Sequence, residues 1–484
     1  MNASDSDWLS RALVLRGFRQ GAFEEADIYI LNTCSVREKP EQKVYSELGR
    51  IARYNKVHGP KGITVCVGGC VAQQVGAGLV KRFPEVRLLF GTDGIAQAPE
   101  AISRLMESPR LRLSLLDFVD NYEERTDVWQ QGDANEGGGA DVPASVFVNI
   151  MQGCDNYCTY CIVPYVRGAQ KSRHPDAVLA ECRTLLDAGA REITLLGQNV
   201  NSYGQDKGAS GLSFAALLEK VASLPGLQRL RFVTPHPKDI APEVIDAFAR
   251  MEVLCPRLHL PLQSGSDRIL KAMNRRYDTA RYKDIVERLR KARPDIILTT
   301  DIIVGFPGET EQDFQATMDM MRAMDFASSF SFVYSDRPKA RAALLPDKVE
   351  RAVALERLSR LQDWQNQASD RVLASMKGEN SVILLEGKSR WDQVLDAPED
   401  MPVAEAKASA REQAAQRADG DTEGEQAVEA WQGKTSQGFI VNVTLPPRQG
   451  RDFRTGGWQG AMLPVRIESA ARHSLKGSQA GVPW

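Results

Sequence analysis

Along the first 125 residues, apolar positions fall in short unbroken runs separated by amphipathic stretches. The runs "ADIYILNT", "GITVCVGG" and "VRLLFG" are apolar on both faces, as strands buried in a parallel sheet must be. Between the first two, "EQKVYSELGRIARYN" repeats its apolar positions at helical spacing. Strands alternating with helices predict a parallel α/β domain over 1–125. Cys34 and Cys70 fall at the carboxyl ends of two of its strands, where ligands bind on such sheets.

Residues 126–142 are polar and Gly-rich and are expected to form a linker. From 143 to 372 the pattern repeats as six strand–helix units, with strands "SVFVNIM", "EITLLG", "LRFVT", "LHLPL", "ILTTDIIVG" and "SSFSFVYS". Buried strands alternating with amphipathic helices predict a barrel-like parallel sheet. Closure needs eight units, so six predict a partial (β/α)6 barrel open on one side. A helix-forming stretch over 347–377 leads out of it. The pattern then turns all-β over 373–477, with strands "SVILLEG", "GFIVNVTL" and "MLPVRIESA". Residues 391–430 interrupt this last domain. They are rich in Ala, Glu, Asp and Gln, cannot bury a core, and are expected to be a disordered or loosely helical insert.

Charge changes the picture only locally. The net charge of −2 is an average. The insert holds 11 acidic and 3 basic residues, while 431–484 holds 7 basic and 2 acidic. Without its insert the C-terminal domain offers a basic surface suited to phosphates, or simply to solvent. No apolar run is long enough for a membrane-spanning helix, and "MNASDSDWLS" lacks the pattern of a secretory signal. A soluble cytoplasmic protein is expected. In that reducing setting its 8 cysteines are candidates for metal or redox chemistry rather than disulfides.

Three cysteines stand together in "GCDNYCTYC", at Cys154, Cys158 and Cys161, directly after the first barrel strand. Three thiolates on one loop can hold three irons of a [4Fe–4S] cube and leave the fourth iron open. Zinc would usually take a fourth Cys or His at regular spacing, and none is nearby. Cys66 lies within a strand and reads as core, or as a substitute ligand near Cys70. Cys182 and Cys255 lack clustered partners, and His236 and His259 lack ligand spacing.

The cysteine loop resembles that of the radical S-adenosylmethionine (SAM) superfamily. The resemblance implies catalysis through the cluster on Cys154, Cys158 and Cys161, with SAM on the open iron and cleaved to a 5′-deoxyadenosyl radical. It implies that Tyr160 lies against adenine. Asp301 to Thr310, "DIIVGFPGET", resembles the strand lining adenine, with Gly305 and Gly308 allowing close approach. Gln263, Ser264 and Ser266 sit where ribose and carboxylate contacts are common. Arg275 reads as surface, or as a contact to SAM or substrate. Tyr165 and Arg167 read as contacts to SAM or RNA, and Arg167 equally as an ion pair.

"LNTCSVREK", "VGGCVAQQ", "CTYCIVPYVRG", "RFVTPHP" and "LHLPLQSGSDRILKAMNR" together resemble the methylthiotransferase family over nearly the whole chain. "GQNVNSYG", with Gly197, Gln198 and Asn199 as further cofactor-site candidates, resembles the branch acting on isopentenyladenosine next to the tRNA anticodon. The tail, with its closing "HSLKG", is similar to the family's TRAM domain, an OB-like RNA-binding barrel. The implied activity is methylthiolation of adenine carbon 2. The implied partners are the tRNA anticodon stem-loop and an electron donor such as flavodoxin or ferredoxin, with no membrane and a monomeric enzyme.

In the family a second [4Fe–4S] cluster carries the sulfur on three cysteines. Cys34 and Cys70 supply two. The third belongs to a "GCQMN" segment whose last two residues line up with Met1 and Asn2. It is therefore expected two residues before Met1, on a chain that starts further upstream with one more strand. Two other readings stay open here. One is a methylthiotransferase acting on a ribosomal protein. The other is a non-catalytic iron–sulfur RNA-binding protein, favoured by the incomplete second set.

Overall fold

The computed structural model describes residues 1–34, 38–59, 62–108, 110–125, 128, 142–389, 428–450, 453 and 456–484. Most of the expected linker (126–142) and insert (391–430), and Ser35 to Arg37 of "LNTCSVREK", lie outside these residues.

The N-terminal domain runs α1 (Asn2–Val14), β1 (Ile28–Thr33), α2 (Glu38–His58), β2 (Thr64–Gly69), α3 (Cys70–Val75), α4 (Ala77–Arg82), β3 (Val86–Phe90), α5 (Ala98–Glu107) and β4 (Leu113–Leu115). Its four strands are all parallel, in the order β1-β2-β3-β4. The sheet is buried on both faces, which explains the unbroken apolar runs. One face packs Leu48, Ile51 and Leu79, and the other packs Leu9, Leu13, Phe90 and Ile102. Strand β4 was not expected. Its three residues alternate and are only partly covered, too little pattern to stand out. Cys66 is fully buried among Leu88, Phe90 and Ile102, the core position of the two foreseen for it.

The central domain contains all six expected strands. It runs β5 (Ser145–Asn149), β6 (Met151–Gln152), α6 (Val163–Arg167), β7 (Lys171–Ser172), α7 (Pro175–Asp187), β8 (Glu192–Leu196), α8 (Phe214–Ala222), β9 (Arg229–Phe232), α9 (Pro242–Arg250), β10 (Arg257–His259), α10 (Asp267–Ala272), α11 (Thr279–Ala292), β11 (Ile297–Val304), α12 (Glu311–Met324) and β12 (Ser328–Val333). β5-β8-β9 and β10-β11-β12 form parallel trios. They are joined where the Leu230 N–H donates to Val253 O (2.7 Å) and the Cys255 N–H to Leu230 O (3.0 Å). Among the described residues no strand pairs β5 with β12, so the barrel stays open there. Leu258, Leu298, Ile302 and Val304 face outward onto Ile285, Phe314 and Met321 of the helices. Alternation along the strand then turns His259, Thr299, Asp301 and Ile303 into the lumen.

Helix α13 (Arg351–Ser375) packs against β11 and β12 and leads to the C-terminal domain. That domain is a closed barrel of β13 (Asn380–Lys388), β14 (Glu429–Thr435), β15 (Ile440–Leu445), β16 (Met462–Ala471) and β17 (Ser474–Gln479), in the order β13-β14-β15-β17-β16. Two strands go beyond the three expected, and β14 begins inside the segment assigned to the insert. Their buried positions include Gly433, Thr435 and Gly477, which carry no hydrophobic signal. Gly433 has a reason to be glycine, since a Cβ there would lie 2.6 Å from Leu384 O.

The barrel docks on the core through arginines reaching backbone carbonyls. Arg229 donates to Lys434 O (2.5 Å) and Val382 O (2.7 Å), Arg231 to Thr435 O (3.0 Å), and Arg257 to Gln437 O (2.8 Å). Arg229 is almost fully buried, so Arg229→Ala leaves two carbonyls without donors. It is expected to weaken docking by roughly 2–4 kcal/mol. Limited proteolysis checks this, with the C-terminal barrel released earlier in the variant; equal cleavage rates would contradict it.

Candidate active site

The cysteine loop, residues 153–170, is closed at its base by the antiparallel pair β6–β7. Gly153 turns into it at φ +80°, and a Cβ there would lie 1.9 Å from Ala169 O. Its N–H donates to Gln198 Oε1 (2.6 Å). The far side of the loop is pinned by Thr159, whose N–H donates to Met273 O (3.0 Å) and whose carbonyl accepts from the Ala342 N–H (2.8 Å). Asn274 Nδ2 donates to Tyr157 O (3.0 Å). Gly153→Ala is therefore expected to cost roughly 3 kcal/mol or more, from left-handed backbone strain plus a forced backbone shift. A lowered thermal midpoint with lost iron binding checks this; an unchanged midpoint would contradict it.

On this loop the three thiols converge. Burial pushes Cys154 up to about 11, with the Cys158 thiol adding to the rise. Burial, then Cys158, and more weakly Cys154, push Cys161 up to about 12. Such thiols ionise near neutrality only when a cation replaces the proton. Among the described residues no three Cys, His, Asp or Glu side chains group around one ion. A cube differs from a single ion in giving each thiolate its own iron. The donor set therefore fits a [4Fe–4S] cluster with one iron left for SAM.

Two cationic or donor groups back the loop. The buried Arg275 guanidinium donates to Cys158 Sγ (3.4 Å), Tyr160 Oη (3.3 Å), Pro261 O (3.1 Å) and Tyr277 Oη (3.2 Å). Arg275, left between two roles by the sequence, is thus an internal partner of the cysteine loop. The sequence reads His236 as packing or local hydrogen bonding rather than metal binding. It is buried, with Nε2 4.0 Å from Cys158 Sγ, and its Nδ1 accepts from the Lys238 N–H (3.2 Å). Burial and the nearby Arg275 and Lys238 charges push its pKa down to about 2, so the ring is neutral. With Nδ1 accepting, Nε2 carries the proton toward the sulfur. Nothing in the local sequence signals either contact, because 117 and 78 residues separate the partners.

The remaining cofactor-site candidates divide by what they touch. Tyr160 packs on Ile269, Met273 and Phe306 below the loop. Gly197 lies under Met151, where a Cβ would come within 2.5 Å of Cγ. Gln198 holds Gly153, and Asn199 accepts from the His236 N–H (3.2 Å) and donates to Asp239 (2.7 Å). Residues 197–199 thus grip the cysteine loop and His236. Gln263 sits at φ +70°, bridging β11 through Asp301 O (2.8 Å) and the Ile303 N–H (2.9 Å). Ser264 is fully buried with its hydroxyl 3.4 Å from that of Thr317. Ser266 caps α10 and donates to Asp313 (2.6 Å). Gly305 and Gly308 both have positive φ. The close approach at Gly305 is to α13, since a Cβ would lie 2.6 Å from that of Ala354. Glu309 secures this turn, accepting from the Gly305 N–H (3.0 Å) and Arg357 (2.8 Å).

Cys34 and Cys70 follow the ends of adjacent strands, where Thr33 pairs with Gly69. Cys70 packs on Ile162, Tyr165 and Val166, so the second pair faces the first cysteine loop across α6. Arg167 is buried there as an ion-pair member, with Nη2 3.5 Å from Asp5. Against the cost of burial, Cys70, Asp5 and Cys34 keep it charged. Burial alone would raise Asp5, but Arg125 and Arg167 outweigh it and hold the carboxyl below its usual range. Among the described residues no third Cys, His, Asp or Glu joins Cys34 and Cys70.

An open six-stranded parallel barrel with three converging thiols beyond its first strand defines a radical SAM fold. Residues 148–321 match the Radical SAM superfamily, and residues 1–91 match the Uncharacterized protein family UPF0004. A tRNA-2-methylthio-N(6)-dimethylallyladenosine synthase of Nitratidesulfovibrio vulgaris is 58% identical, covering 100% of this chain and 97% of that one. Its counterparts in Oleidesulfovibrio alaskensis and Lawsonia intracellularis are 54% and 47% identical, covering 99% and 98% of this chain and 96% and 95% of theirs. The chain belongs to the family of tRNA-2-methylthio-N(6)-dimethylallyladenosine synthases.

Proposed function

We propose that this protein attaches a methylthio group to carbon 2 of N6-dimethylallyladenosine next to the tRNA anticodon. The observation that carries this is the convergence of Cys154, Cys158 and Cys161 beside Arg275, in a chain related end to end to enzymes of that name. When bound, the [4Fe–4S] cluster and SAM supply a carbon radical that takes the carbon-2 hydrogen. The chain's own part is to hold the loop through Gly153, Thr159 and Asn274 and to set charge beside the sulfurs through Arg275. An anticodon-loop base leaves its stack more readily than one in a duplex, which suits delivery into an open barrel.

A second cluster with Cys34 and Cys70 among its ligands would carry the sulfur. Iron analysis tests it: iron beyond the about four of the first cluster, lost when Cys34→Ala and Cys70→Ala are combined, is the expected result. Equal iron with and without the two substitutions would refute the second cluster. The closed C-terminal barrel is assigned to the anticodon stem-loop, and reduction to flavodoxin or ferredoxin. No described helix is long and apolar enough to cross a membrane. A monomer in the cytoplasm fits this substrate. The function is tested in a bacterial strain whose tRNA carries dimethylallyladenosine without the methylthio group. Expression of this protein restores the methylthiolated nucleoside in digested tRNA. Its absence despite a loaded cluster would reject the proposal.

A further inference from the structure

An aromatic ring lies exposed inside the open barrel. Phe330 is 55% accessible although it sits mid-strand in β12, hydrogen-bonded to β11. In the register it is level with Asp301. Its neighbour Ser331 is buried and Val333 packs outward on the helix core, so alternation turns Phe330 into the lumen. There it meets the His259 ring edge-on, with centroids 6.1 Å apart. His259 is in turn fixed by Asp301 (3.2 Å) and by the Thr299 hydroxyl (3.0 Å). These three side chains form one layer, an apolar face beside a polar rim. The His259 and Asp301 side chains are 21% and 30% accessible, so the layer is open to solvent.

The layer's height matters. Ile303, two residues along β11 and so about 7 Å nearer the mouth, packs in one apolar cluster with Tyr160 of the cysteine loop. Phe330 therefore lies about 7 Å, one two-residue strand repeat, below the layer that packs with the cysteine loop. An aromatic ring partly exposed in a cleft beside a few polar groups is available to a ligand that enters it. A flat, rigid ring beside hydrogen-bonding groups suits a planar heteroaromatic base, which stacks on its face and meets polar atoms at its edge.

We infer that Phe330 is the platform on which the target adenine of the RNA stacks once it has left the anticodon loop. It is a specificity-determining residue, with His259 and Asp301 beside the edge of the base. This rests on the functional reading above.

The test is a cycle of binding measurements. Two RNA stem-loops are compared, one with dimethylallyladenosine at the target position and one abasic there, against the wild-type chain, Phe330→Ala and Phe330→Tyr. Loss of one stacking contact is expected to weaken Phe330→Ala about tenfold on the RNA with the base. Affinity for the abasic RNA should be unchanged, and Phe330→Tyr, which keeps the ring, should bind both as wild type does. Equal weakening on both RNAs would show a merely structural role, and no weakening on either would show no contact; each overturns the inference. Methylthiolated product from the wild-type chain is followed in parallel. Its absence would defeat the functional reading, whereas product formation without the binding cycle would defeat the Phe330 platform alone.

Discussion

Cys158→Ala is expected to remove about four irons per chain and to bring 5′-deoxyadenosine formation to background. The fold should survive. Cys158 lies at the edge of burial, and its neighbours Thr159 and Tyr157 are pinned by backbone contacts that the substitution leaves intact. What changes is the donor set. Two thiolates remain, Cys154 and Cys161, and Arg275 faces a methyl group instead of a sulfur. Iron and sulfide analysis, with circular dichroism to show that the protein is folded, checks the expectation. Retention of iron and of SAM cleavage would mean that the cluster sits elsewhere.

Arg275→Leu is expected to act on the same site without removing a ligand. The guanidinium gives four hydrogen bonds from a buried position, one of them to Cys158 Sγ. Positive charge and N–H donors at the sulfurs favour the reduced, more negative cluster. A charge-assisted bond is worth about 1.5–3 kcal/mol, so SAM cleavage should slow roughly 10- to 100-fold. The reduction potential should fall by roughly 60–120 mV, at about 59 mV per tenfold for one electron. Arg275→Lys should restore only part, because one ammonium cannot span the Tyr277, Pro261 and Cys158 acceptors as the planar fork does. Redox titration followed by electron paramagnetic resonance checks this; an unshifted potential would show that Arg275 only packs.

The contrast between these residues explains what was legible in the sequence. The three cysteines fall within eight consecutive residues, so their chemistry is visible without a fold. Cys34 and Cys70 are 36 positions apart, yet parallel-sheet topology places strand ends together, and that too could be read. The six barrel strands are buried on the helix side by large apolar residues, which made them plain. The strands missed in the C-terminal barrel are those whose buried positions include Gly433, Thr435 and Gly477 beside only Ala430, Trp431 and Leu475. What could not be read was the partner of Arg275 and His236, since both meet Cys158 only after folding. At Gly305 the need for a bare backbone was legible, but the group that presses on it, Ala354 of α13, was not.

The most direct test of the account follows the hydrogen on adenine carbon 2. A stem-loop RNA carrying deuterium at that carbon of its dimethylallyladenosine is incubated with reconstituted protein, SAM and reductant. The account predicts deuterium in the 5′-deoxyadenosine released, lost in Cys158→Ala. Label-free 5′-deoxyadenosine, with the deuterium retained in the RNA, would contradict hydrogen abstraction from that carbon and with it the assigned reaction.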